Sequence, residues 1–136
     1  MLLLRTFLDA PAGRDYLRTY QRDRLGRVSG GETCVIELCG LAARDFATPI
    51  DRERFREERV ELIRQKIREH KPTVVVMYGQ SEKKYWEEIA GCELEPDQPL
   101  SAGSTLFVFA THPNTRGRRN SDWERLGKQL RDFGAL

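Results

Sequence analysis

The sequence predicts an α/β fold: a three-layer α/β/α arrangement on a short parallel sheet of three to four strands, forming a single domain over residues 1–136. Three observations predict it. Short runs of β-formers recur at Thr33–Leu38, Thr73–Tyr78 and Leu106–Ala110. Stretches with helical spacing of apolar residues follow each run, and strands alternating with helices argue for parallel strands joined by right-handed crossovers. The second and third runs are continuously apolar, as expected of strands covered on both faces.

Taken in order, Met1–Leu8 is apolar but short, readable as a strand or a lead-in segment, and Asp9-Ala10-Pro11 breaks it. Residues 12–25 carry Tyr16, Leu17 and Tyr20 at helical spacing and predict an amphipathic helix closed by Gly26. Thr33–Leu38 is the first predicted strand, followed by a loop from Cys39 to Thr48. Thr48-Pro49-Ile50-Asp51 has a hydroxyl cap, a proline at the first turn and an acid three residues on, so a helix is expected from there to about His70. Its apolar stripe is Phe55, Val60, Ile63 and Ile67, and its charged face reads as solvated.

Lys71-Pro72 ends that helix, and Thr73–Tyr78 is the next strand, leaving Gly79 at its carboxyl end, where a backbone can approach a ligand closely. Ser81 starts a short helix bearing Tyr85, Trp86 and Ile89, with Trp86 on the apolar face. Residues 92–103, with Pro96, Pro99 and Gly103, read as a loop. The strand Leu106–Ala110 stops at Thr111-His112-Pro113, because proline cannot continue a ladder. Ser121-Asp122-Trp123-Glu124 has capping-box spacing for a last helix whose inward face is Trp123, Leu126, Leu130 and Phe133.

Composition narrows the function classes. Hydrophobic residues are 39% and charged residues 32%, with a formal net charge of +2, so the whole-protein field is weak. Residues 115–119 nevertheless hold three arginines and no acid, a patch that suits phosphate or a solvated loop. No apolar run is long enough to span a bilayer, and the opening leucines are too few for a signal peptide, so a cytoplasmic location is expected. Three cysteines without a C-x-x-C pair suggest neither a disulfide framework nor a zinc site, and Cys34 and Cys92 read as core or near-core residues. Walker, G-x-G-x-x-G and G-x-S-x-G motifs are all missing, and nothing calls for a cofactor.

The candidate site lies at the strand ends, since ligands of open α/β sheets bind beyond the carboxyl ends of the strands. His112 stands there as an acid, base or hydrogen-bond donor to a developing anion, or as a turn histidine tied to the backbone. Glu37 and Asp45 lie near the end of the first predicted strand, as site carboxylates or as paired and capping residues.

The segments Lys71-Pro72-Thr73-Val74-Val75-Val76-Met77-Tyr78-Gly79, Tyr85-Trp86, Thr111-His112-Pro113, the basic loop to Asn120 and Trp123 to Gly127 together resemble the uracil-DNA glycosylase superfamily, over roughly residues 32–132. The resemblance implies a parallel four-stranded sheet between helices and a base flipped into a pocket at the strand ends of a DNA-binding protein. It gives His112 the role of stabilising charge on the departing base, places Glu37 and Gly79 at the base pocket, and gives Asn114, Arg116, Arg118 and Arg119 the contacts to DNA.

The family's first motif, a glycine-rich strand exit with a water-positioning acid or amide, has only Asp9-Ala10-Pro11 as a partial counterpart. Glu37 stands near where the family has a uracil-reading asparagine, and an ionised carboxylate accepts but cannot donate. Three functions stay open at this point: base excision with His112 as electrostatic catalyst, a non-catalytic nucleic-acid-binding or interaction module, and a small-ligand or nucleotide-binding α/β domain. A sheet lacking a strand would expose an edge and favour a dimer.

Overall fold

The computed structural model describes residues 1–27, 29, 31–38, 49–113 and 115–135, with backbone only for 49–52. Its elements in chain order are α1 (Leu2–Phe7), α2 (Arg14–Asp23), α3 (Pro49–His70), β1 (Val74–Tyr78), a 3₁₀ turn (Gln80–Glu82), α4 (Lys83–Ala90), β2 (Pro99–Ala102), β3 (Thr105–Ala110) and α5 (Asn120–Gly134). They form an α/β protein of two compact units: Met1–Ile36 with Asn114–Leu136, and Glu37–Pro113. No described helix is long and apolar enough to cross a membrane. The expected Cys39–Thr48 loop with Asp45, the Thr48 cap, and Asn114 lie outside the described residues.

The second unit holds the sheet, in the order β1-β3-β2. β1 and β3 are parallel, with Val74 opposite Leu106 and Tyr78 opposite Ala110. β2 is antiparallel to β3, so the sheet is mixed and the expected all-parallel sheet is corrected. The reason is the hairpin β2–β3, closed by Gly103-Ser104 with Gly103 at φ 63°. The two prolines of residues 92–103 mask this strand in the sequence. Pro99 sits at the first position of an edge strand, where its missing N–H costs nothing.

Alternation sets the core. Val75 and Met77 of β1 share a sheet face with Phe107 and Phe109 of β3. Val60 and Ile63 of α3, Tyr85 and Ile89 of α4, Leu94 and Leu38 pack with them. Burying Phe109 and Met77 alone contributes on the order of 2 kcal/mol each. α3 carries the expected stripe and ends at His70, where Lys71 takes a left-handed φ of 45° and Pro72 stops the helix. The carbonyl of Pro72 then accepts a 2.7 Å bond from the buried Thr105 hydroxyl, tying β1 to β3 at their entry. β3 is buried along its whole length, whereas Val74, Val75 and Val76 are only partly covered, so β1 is not the strand sealed on both faces that its composition predicts.

Thr33–Leu38 is not a strand. Residues 33–37 are coil, with Val35 60% and Ile36 38% exposed, and only Leu38 enters the core. A β-branched run becomes a strand only when a neighbour supplies the ladder, and it pairs with no strand among the described residues. Cys34 is consequently exposed rather than near the core, while Cys92 is half-buried against the core.

The first unit is helical. Met1–Leu8, open between strand and lead-in, forms α1. α1 packs on α5 through Gly127, where an added Cβ would lie 2.5 Å from the Leu3 carbonyl oxygen. Arg5 is buried at the centre of this unit. Its guanidinium stacks on Tyr16 and Tyr20 at 5.0 and 4.8 Å, donates to the Tyr16 hydroxyl at 3.0 Å and pairs with Glu32 at 3.7 Å. α5 starts one residue before the expected Ser121 box. Its N-cap is Arg119, whose backbone N–H donates to Asp122 Oδ2 at 2.8 Å. Leu126 and Leu130 are buried as expected, Trp123 is half-buried and Phe133 is exposed.

Candidate functional site

The parallel pair brings two of the expected site residues to one end of the sheet. β1 exits through Tyr78-Gly79 and β3 through Thr111-His112. The Gly79 N–H donates to the Ala110 carbonyl at 3.4 Å, continuing the ladder one step past the strands. Gly79 has φ 107°, which an L side chain rarely adopts, and the chain turns there into Gln80–Glu82. Beyond this step the rings of Tyr78 and His112 meet edge to face, with centroids 5.7 Å apart and planes at 81°. Both residues are exposed, Tyr78 by 40%. The result is an aromatic shelf at the carboxyl ends of the parallel strands.

Two residues that sequence reasoning did not assign to the site hold this end in place. Trp86, expected as a core residue, packs half-buried against the core and also donates its indole N–H to the Tyr78 carbonyl at 3.2 Å. That bond fixes the last peptide of β1. Glu82 turns a carboxylate inward: one oxygen pairs with Arg56 at 3.1 Å, and the other is buried with no hydrogen-bond partner. The signal for Glu82 was an acid three residues after a strand-exit glycine, which is too common to single out. Alongside, Tyr85 donates its hydroxyl to Glu53 at 3.1 Å and Lys84 pairs with Glu53 at 3.3 Å. These bonds, led by the tyrosine, hold the Glu53 carboxyl below the usual carboxylate range.

Glu37 does not join this group as a strand-borne carboxylate. It is exposed in coil, and its carbonyl accepts from the Arg59 guanidinium at 3.0 Å. The cause is the absence of the expected strand, which removes the alternation that would have aimed the side chain.

The arginine segment belongs to the first unit. Arg116 and Arg119 are exposed, and Gly117 turns the chain at φ 91°. Arg118 is not a free phosphate contact, because its guanidinium lies 3.8 Å over the Trp123 ring. A neutral-faced stack of this kind restrains the arginine while leaving its charge in place. Asp9, the partial counterpart of the water-positioning acid, pairs with Arg131 at 2.5 Å and lines a cleft of about 430 Å³ with Thr6, Ala10, Pro11, Ala12, Glu124 and Lys128. Among the described residues, no group of three His, Cys, Asp or Glu is placed to hold a metal.

No family model matches the chain, and no curated protein or solved structure is significantly similar to it.

Proposed function

We propose that this chain is a DNA-binding α/β protein of uracil-DNA-glycosylase-like design that holds an unpaired base on the Tyr78–His112 shelf and binds without excising it. The observation that carries the proposal is the edge-to-face pair of exposed rings at the carboxyl ends of β1 and β3. Aromatic shelves of this kind stack bases irrespective of sequence. Arg116 and Arg119, exposed in the segment that follows, supply phosphate contacts. In this reading the protein is a three-layer α/β/α sandwich with α3 and α4 as one layer, located in the cytoplasm.

Binding is favoured over hydrolysis because, among the described residues, the second catalytic group has no clear owner. His112 could stabilise a departing base, but hydrolysis also needs a residue that positions water. Asp9, in the partial counterpart of the water-positioning motif, is paired with Arg131.

The test is binding of a fluorescent single strand and its duplex across a salt series. Single-strand preference is expected, because a duplex keeps its bases stacked. Tyr78→Ala should weaken binding by about 5- to 150-fold, the loss of one stacked base. Neutralising Arg116 and Arg119 should reduce the salt slope by roughly 1.4, from two phosphate contacts on a single strand. Equal binding by Tyr78→Ala and wild type would remove the shelf from the proposal.

A further inference from the structure

The outer edge of β1 carries an inference independent of the DNA reading. In this sheet the odd residues of β1 turn their backbone groups toward β3: the Thr73 carbonyl accepts from Leu106 N–H at 2.9 Å, and Gly79 N–H donates to Ala110. The even residues, Val74, Val76 and Tyr78, therefore turn theirs outward. Among the described residues no backbone group bonds to this edge, and the only side-chain partner is the Trp86 indole on the Tyr78 carbonyl. Among the described residues, three N–H groups and two carbonyls of this edge have no partner.

Edges of stable monomers are usually guarded by charge, proline, a bulge or shortness. The other edge strand, β2, is four residues long and opens with Pro99. β1 has none of these guards: it is Val-Val-Val-Met-Tyr.

We infer that β1 is a self-pairing edge, and that two copies of this chain join through antiparallel β1–β1 contact into a continuous six-stranded sheet. A second copy is the occupant because the edge is complementary to itself. With the two-fold axis at Val76, all five residues of β1 are paired. Val76 then exchanges both of its bonds with Val76 of the other copy, and each Tyr78 N–H meets a Val74 carbonyl. Each remaining Val74 N–H shares the Tyr78 carbonyl with Trp86, which an oxygen with two lone pairs permits. The partly covered Val74 and Val76 gain cover in the same step.

The experiment combines mass measurement with a register-specific cross-link. Light scattering of the wild type over a concentration series is expected to approach twice the 15.7 kDa of one chain. Val76→Cys should form a covalent dimer on mild oxidation, because facing residues of a hydrogen-bonded antiparallel pair lie about 5.5 Å apart, within disulfide reach. Val74→Cys faces Tyr78 instead and should cross-link no more than wild type, which also controls for the native cysteines. A wild type that stays monomeric at the highest concentration would overturn the inference. Equal cross-linking by the two variants would also overturn it.

Discussion

Replacing Gly127 by alanine sets two effects of opposite sign against each other, and the structure decides between them. Gly127 lies inside α5, where alanine is favoured over glycine by about 1 kcal/mol. At an open helical position the variant would be more stable. Here the new methyl would lie 2.5 Å from the Leu3 carbonyl oxygen, 2.8 Å from Thr6 Cβ and 3.1 Å from the Phe7 nitrogen. Two of these are backbone atoms, so no side chain can swing away. Restoring an ordinary contact of about 3.5 Å requires α1 and α5 to part by about 1 Å. Overpacking of this kind costs roughly 1–3 kcal/mol, and parting the helices also loosens Leu3, which is 3% exposed. The expected net effect is a loss of up to about 2 kcal/mol, or a fall in Tm of up to about 7 °C for a chain of this size. Thermal melts followed at 222 nm measure it, with exposed Lys128→Ala in the same helix as a near-neutral control. A Gly127→Ala variant more stable than wild type would refute the close α1–α5 contact.

Arg5→Leu keeps an apolar stem but removes the guanidinium held between Tyr16 and Tyr20 and its bonds to Tyr16 and Glu32. A loss of about 2 kcal/mol is expected in urea unfolding, since the desolvated stacking is lost while the polar tyrosine stays. Asp122→Asn tests the α5 cap by pH. The Arg119 backbone N–H holds the Asp122 carboxyl below its ordinary value of 3.8. A lowered folded value contributes stability above the unfolded value and loses it as pH falls through the folded one. The Tm gap between wild type and Asp122→Asn should therefore be largest near neutrality and close on acidification below about pH 4. A gap that persists in acid would assign the cap to hydrogen bonding without charge.

What the sequence made legible follows the range of each signal. Local signals served well: the α3 stripe and its stop at Lys71-Pro72, the apolar runs of β1 and β3, and the exit at His112-Pro113 all depend on residues close in the chain. Signals that depend on a distant partner did not. Thr33–Leu38 has strand composition, but composition cannot show whether a neighbouring strand exists, and Glu37 lost its expected place with that strand. β2 was hidden because prolines read as loop, although an edge strand tolerates them at its first residue. The Tyr78–His112 contact was half-visible. Both residues stand at strand exits, yet only the parallel β1–β3 register, which sequence does not give, places the rings 5.7 Å apart. Trp86 and Glu82 support that end through bonds across the fold that no spacing encodes. Arg118 was grouped with its neighbours by charge, while its stacking on Trp123 separates it from them.

The most direct test of the proposed function is to incubate the protein with uracil-containing single-stranded and duplex oligonucleotides at low salt, following binding and base release in the same tubes, for wild type and His112→Ala. Binding of the single strand without release of base, weakened in His112→Ala, is the expected result. Release of uracil that disappears in His112→Ala would contradict it and make the protein a glycosylase. Absence of binding at low salt would exclude the DNA reading altogether.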